Sequence, residues 1–320
     1  MSTAISTAVA TWVDTMMPGV RSRSVAQSSA FNSRPGIASL ELPDALIRYR
    51  MVGDGPQALV LAADPPVVIE QYDELIHCLE SDFRIIVFEP PGFGFSLPRS
   101  GLRFDFTRMN DVVAEFLRRP AVGPYLLAFP CITAYGAIDI AARFPSLVSG
   151  VALIQAPSWS EEVKWKHGRD RQGILSKPVI GQLILQALKR ERAPQWCDAA
   201  IGNREKLSDF VATTDTAFSH GACFCLASAF QRYMTDKEPA LGAVNQPSLV
   251  IWGEADRTHR HTDKSSTRQY CPQAKEIRFA NAGHFPELEE PEMFGREIRA
   301  WAFPLDVLRI NSDRKAQTES

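Results

Sequence analysis

The sequence predicts an α/β fold: a mostly parallel, doubly wound sheet interrupted by a helical lid insertion. Three observations predict it. Short apolar runs alternate with segments of helical spacing between residues 58 and 154, the pattern of strand–helix–strand units. Each run is closed by strong turn formers such as Asp64-Pro65-Pro66 and Pro90-Pro91-Gly92. The alternation then stops from Ser158 to about Asn245 and resumes at Pro247-Ser248-Leu249-Val250-Ile251-Trp252.

The elements follow in order. Residues Ala4 to Met17 have the spacing of a short amphipathic helix, and Arg21 to Pro35 is rich in Ser and Arg and reads as mobile. Composition favours a frayed extension; the other reading is an arm that packs on a partner subunit. Ala58 to Ala63 is a buried strand, and Tyr72 to Leu79 repeats apolar residues at helical spacing. Phe83 to Phe88 is the next strand, running into Glu89-Pro90-Pro91-Gly92, where Glu89 reads as a structural loop carboxylate. Met109 to Leu117 is a helix with Asn110 or Thr107 as its cap. Pro124 to Phe129 is a strand that ends at Pro130-Cys131, where a small-residue helix begins at once with Ala134, Ala137, Ile138 and Ala141. Val148 to Ile154 is a further strand. The interval from Ser158 carries many aromatics, among them Trp159, Trp165, Trp196 and Phe230, the composition of a lid over an apolar pocket. The expected organisation is an N-terminal extension (1–36), core (37–157), helical lid (158–245), core (246–308) and a polar tail (309–320).

The bulk numbers narrow the function. A chain of 320 residues suits one large α/β domain with an insertion. A net charge of −2 gives no basic footprint for nucleic acid. No apolar run reaches about 20 residues, so no span is expected. The six cysteines form no paired framework, and no export signal is visible, which points to reduced thiols in the cytoplasm. Cys223-Phe224-Cys225 lacks the spacing of a zinc pair, and His259-Arg260-His261 reads as a solvated loop. No metal or cofactor is expected, and the expected partner is a small molecule. Oligomeric state stays open.

The chemistry gathers around Cys131. A thiol between a strand and a helix N-terminus sits where unpaired N–H groups favour an anion, which lowers a thiol pKa and makes a nucleophile. Far downstream stand Trp252-Gly253-Glu254-Ala255-Asp256 and Ala282-Gly283-His284-Phe285-Pro286. Nucleophile, acid, histidine is the chain order of the α/β-hydrolases. These blocks, with the Gly92-Phe93-Gly94-Phe95-Ser96 turn and Arg143-Phe144-Pro145 at the end of the small-residue helix, resemble the α/β-hydrolase superfamily. The similarity is to its lidded members: epoxide hydrolases, haloalkane dehalogenases and esterases. The resemblance spans roughly Ala58 to Phe303. It implies Cys131 as nucleophile, His284 as base and Asp256 as its orienting acid, with Ile132, Ala63, Asp64, Phe129 and Trp159 as oxyanion or substrate-binding residues.

Two features depart from the family pattern. Phe129 and Thr133 stand where the nucleophile turn has small residues, so the turn is reshaped or Phe129 swings into a cavity. Ala62-Ala63-Asp64 replaces the usual His-Gly of the oxyanion side. The Ala63 or Asp64 N–H could pair with that of Ile132, each such donor contributing ~3 kcal/mol. Asp64 has three readings: pointing away to cap its turn, which its turn preference favours; protonated and donating a hydrogen bond; or acting as an acid or base. The expected function is acyl chemistry on an ester, thioester or lactone of a small apolar substrate, by hydrolysis or transfer, with a carrier-bound acyl group among the candidates. Specialised metabolism is the expected setting. The alternative is a lyase, cyclase or isomerase using His284 and Asp64. The third is a silent ligand-binding protein.

Overall fold

A computed structural model describes residues 3–16, 33–99 and 102–318. Most of the Arg21 to Pro35 stretch lies outside the described residues. Eight main strands form one twisted sheet: β1 (Ile37–Glu41), β2 (Ala45–Val52), β3 (Gln57–Ala62), β4 (Phe83–Phe88), β5 (Tyr125–Pro130), β6 (Val148–Ile154), β7 (Ser248–Gly253) and β8 (Lys275–Phe279). Their spatial order is β1-β2-β4-β3-β5-β6-β7-β8, with a short Leu97–Pro98 strand added on β2. Strands β3 to β8 run parallel, whereas β2 is antiparallel to both neighbours. The central strands β3 and β5 are buried along nearly their whole length, as expected for a sheet covered on both faces. The sequence reading did not include β1, β2 or β8; β1 and β8 lie at the two edges with half-polar patterns, and β2, one strand in from the edge, carries Arg48 and Arg50.

The longer helices are α1 (Thr3–Met16), α2 (Asp73–Leu79), α3 (Phe106–Arg118), α4 (Cys131–Arg143), α5 (Trp159–Arg169), α6 (Ile180–Ala200), α7 (Leu207–Ser219) and α8 (Pro291–Thr318). Asp105, rather than Asn110 or Thr107, caps α3: its side chain accepts from the Arg108 N–H at 3.0 Å. Helix α8 continues to Thr318, through the residues expected as a polar tail. Two hydrophobic cores flank the sheet, one built on α3 and α4 and the other on α2 and α8. The N-terminal helix packs on the chain's own insertion. Asp14 on α1 is fully buried and accepts from Ser228 Oγ at 2.5 Å, a docked contact rather than a frayed end. Among the described residues, no helix is long and apolar enough to cross a membrane.

Glu89 shows how the turn after β4 is held. Its carboxylate accepts from Arg48 at 2.8 Å, the Phe95 N–H at 2.6 Å and the Ile69 N–H at 3.2 Å, all buried. Burial pushes Glu89 up to about 7, against the opposing pull of the Arg48 guanidinium.

Candidate active site

Strand β5 stops at Pro130, and Cys131 turns the chain sharply into α4 with a φ of 45°. A non-glycine residue in this left-handed region is strained, and such strain concentrates at functional sites. The turn survives a bulky Phe129 because that ring leaves the turn altogether. It packs on Phe88 at 5.5 Å between centroids and borders a small apolar cavity of about 40 Å3.

The acid and histidine loops meet Cys131 at the carboxyl ends of the parallel strands, where ligands gather in open α/β sheets. Their glycines are sterically required. A Cβ on Gly253 would lie 1.8 Å from the Gly283 carbonyl, and one on Gly283 would lie 2.0 Å from the Ala200 carbonyl. Asp256 Oδ2 bonds His284 Nδ1 at 2.7 Å, and both side chains are fully buried. The second carboxylate oxygen accepts from the Thr258 N–H at 2.7 Å. Gln155, at the end of β6 with φ 50°, donates to Asp256 Oδ2 at 2.8 Å and accepts from the Gly253 N–H at 2.8 Å. Burial alone would raise the Asp256 pKa, but the His284 charge and hydrogen bond outweigh it and hold the carboxyl well below its usual range. With Nδ1 fixed in this way, His284 Nε2 is buried with no partner among the described residues. The Cys131 sulfur lies within 4.8 Å of ring nitrogens of both His284 and His259.

The environment of the thiol differs from the expected one. Burial, then Asp64 and Glu162, pushes the Cys131 thiol well up rather than down, although the Ile132 N–H opposes this. The helix N-terminus favours an anion, but in a closed pocket the nearby carboxyls win. Glu162, on α5, is 1% exposed; its Oε1 receives the thiol at 3.9 Å, and its Oε2 faces the Tyr135 hydroxyl at 3.5 Å. Burial lifts Glu162 to about 8. Glu287 is buried with both carboxyl oxygens unpartnered and is likewise lifted by burial to about 8.

Asp64 does not point away to cap its turn. It lines the cleft, is 2% exposed and leaves Oδ1 unpartnered. Burial and the charges of Glu162 and Glu287 push its pKa well up, while the Thr133 N–H pulls it down. The carboxyl therefore occupies a helix N-terminal donor that an oxyanion would otherwise use. Ala63 cannot serve as an oxyanion donor, because its N–H is already bonded to the Phe88 carbonyl at 2.8 Å. Ile132 borders the cleft beside the sulfur. Trp159 does not line the cleft. Its indole donates to the Thr235 carbonyl at 2.9 Å and its ring packs on Tyr135 and Phe106.

A cleft of about 560 Å3 opens above Cys131, Asp64 and His284, walled by α5 and α6 with apolar groups such as Trp165, Leu185, Leu188 and Phe230. Arg169, Arg171 and Arg192 also line it, whereas the Lys189 ammonium donates to the Ala222 carbonyl at 3.1 Å and lies over the Phe218 ring. Sequence reasoning missed Gln155, Glu162, Glu287 and His259. His259 is no solvated loop residue. It is fully buried, stacked on Trp165 at 5.3 Å and 4° on one side and on His284 at 5.3 Å on the other. Burial lowers it to about 3. Only His261 of that pair is exposed.

Comparison with known proteins agrees with this architecture. A family model described as alpha/beta hydrolase fold matches residues 66–291. A pimeloyl-[acyl-carrier protein] methyl ester esterase of Shewanella sp. (strain MR-7) is 24% identical over 260 residues, covering 78% of this chain and 91% of the relative. Among solved structures, a putative alpha/beta hydrolase from Nostoc sp. PCC 7120 superposes with a TM-score of 0.68 at 15% identity, covering 83% of this chain and 97% of the other. A haloalkane dehalogenase variant from Bradyrhizobium elkanii gives 0.64 at 17%, covering 86% and 99%. A Bacillus megaterium epoxide hydrolase gives 0.60 at 16%, covering 82% and 99%. With that family model matching residues 66–291, more than half of its length, the chain belongs to the α/β-hydrolase family of enzymes.

Proposed function

We propose that the chain cleaves or transfers an acyl group carried as an ester, thioester or lactone, with Cys131 as nucleophile, His284 as base and Asp256 as its orienting acid. The observation that carries this reading is the convergence of the 2.7 Å His284–Asp256 pair and the Cys131 sulfur on the floor of one cleft. The thiol is protonated at rest, so His284 Nε2 takes its proton as sulfur attacks the carbonyl carbon. The carbonyl π electrons move to oxygen, and collapse expels the leaving group, which receives the proton from His284. Water or another acceptor then releases the acyl group from sulfur. The apolar walls suit an acyl chain, and Arg169, Arg171 and Arg192 suit an anionic terminus or the phosphate of a carrier arm. The relative named for a carrier-bound methyl ester supports the same class. The lid role of the helices from 158 to 245 rests on their walling of the cleft, and six cysteines with no disulfide among the described residues suit the cytoplasm.

Turnover of a panel of short- and medium-chain esters and thioesters tests the proposal. Cys131→Ala is expected to abolish it, and a Cys131→Ala protein with full turnover rejects this reading.

One observation favours a second reading. Asp64 sits on the Thr133 N–H, beside His284 and two acids that burial keeps protonated. That is a proton-handling site suited to a lyase, cyclase or isomerase. Asp64→Asn separates the two. Acyl transfer survives it, whereas a proton-transfer enzyme that relies on Asp64 loses turnover.

A further inference from the structure

Three metal-seeking side chains meet at one buried point. The Cys131 sulfur and a ring nitrogen each of His259 and His284 all lie within 4.8 Å of one another. Both imidazoles are held from behind: His284 Nδ1 by Asp256 at 2.7 Å, and His259 Nδ1 by Thr262 Oγ1 at 3.1 Å. That leaves the two Nε2 atoms, each buried and without a partner among the described residues. Buried polar atoms are almost always satisfied, so two orphans beside one thiol call for a ligand. An imidazole oriented by a second hydrogen bond at its far nitrogen is the usual form of a metal-ligating histidine.

We propose that Cys131, His259 and His284 form a binding site for one borderline divalent cation of the zinc class. Zinc takes sulfur at about 2.3 Å and imidazole nitrogen at about 2.0 Å, which places ligand atoms about 3.5 Å apart. Closing from at most 4.8 Å requires only a small shift of the cysteine rotamer and of the two rings. The fourth position faces Glu162 Oε1, 3.9 Å from the sulfur, or the cleft. On binding, the S–H bond breaks, a sulfur–metal bond forms, the proton leaves to solvent, and each Nε2 donates its lone pair; nothing is oxidised or reduced. His259 thereby gains a role that its stacking between Trp165 and His284 does not by itself explain. A bound ion also occupies the sulfur and the nitrogen that acyl chemistry needs. Zinc is therefore a reversible inhibitor, and this one consequence rests on the proposed function.

Cobalt(II) titration of untagged protein is the direct test. The expected result is one equivalent bound, with a near-ultraviolet thiolate-to-cobalt band and the visible bands of a four-coordinate ion, all displaced by zinc. Cys131→Ser is expected to lose the charge-transfer band. His259→Gln is expected to weaken cobalt binding at least tenfold, and Thr262→Val, which only frees the His259 ring, to weaken it about 10- to 100-fold. Circular dichroism checks that each variant is folded. In parallel, at least tenfold more zinc is expected to be needed to inhibit ester turnover in His259→Gln. The inference is overturned if no thiolate band forms, or if the band persists in Cys131→Ser, which would place the ion elsewhere, such as at Cys223 and Cys225. If the protein shows no ester turnover at all, the spectral result still decides the metal site. If turnover is found without cobalt binding, only the metal site falls.

Discussion

Glu162→Gln isolates the effect of one buried α5 carboxyl on the Cys131 thiol. Glu162 Oε1 lies 3.9 Å from the Cys131 sulfur with both groups buried. Two negative charges at that separation repel by about 4 kcal/mol at an effective dielectric constant of about 20. At ~1.4 kcal/mol per pH unit this is about three units, or roughly a thousandfold in thiolate population. The sign follows from the Glu162 value of about 8. Below it the carboxyl is neutral and spares the thiolate; above it the carboxylate opposes thiolate formation. The glutamine variant carries no charge at any pH. Alkylation of Cys131 by iodoacetamide, followed by mass spectrometry of the Cys131 peptide, reads the difference. At pH 6 wild type and Glu162→Gln are expected to react alike. At pH 9 the variant is expected to react about tenfold faster, because one pH unit above the Glu162 value only about a tenth of wild-type chains keep the neutral carboxyl that spares the thiolate. Superimposable rate profiles from pH 6 to 9 would refute the claim that Glu162 restrains the thiol.

Three further predictions follow from the same geometry. Asp256→Asn replaces the acceptor of the 2.7 Å bond from His284 Nδ1 with a group that no longer selects one tautomer, so kcat for the preferred ester is expected to fall by about 10⁴ with the fold intact. Phe129→Ala empties a fully buried site that packs on Phe88; urea unfolding is expected to show a loss of about 3–5 kcal/mol. Glu287 is lifted from 4.5 to about 8 in the folded protein, so the folded state holds a proton that the unfolded chain releases. Its contribution to stability is present below about 4.5 and is lost as pH rises through about 8. Between pH 5 and pH 9, wild type is expected to lose up to about 4 kcal/mol more than Glu287→Gln in urea unfolding.

The parallel core was legible because buried strands such as Leu126–Phe129 are continuous apolar runs bounded by turn formers, while edge strands such as Ile37–Glu41 carry a mixed pattern that a loop can share. The positions of Cys131, Asp256 and His284 could be read because each sits in a short motif with a local steric cause, such as Gly253 and Gly283. Glu162 and Glu287 could not. Burial of a carboxyl is set by what packs over it from distant parts of the chain, and neither position carries a local signal. His259 was hidden by its neighbours: Arg260 and His261 face solvent, and one turn of chain places His259 inside. The direction of Asp64 turns on the Thr133 N–H, 69 positions later, which no turn propensity encodes.

Trapping the acyl-enzyme measures the central claim most directly. Brief exposure to an activated ester, acid quench and intact mass should show one acyl group per chain, mapped by peptide analysis to Cys131, absent from Cys131→Ala and formed far more slowly in His284→Ala. Label on another residue, or steady conversion of the ester by wild type and Cys131→Ala alike, would contradict it.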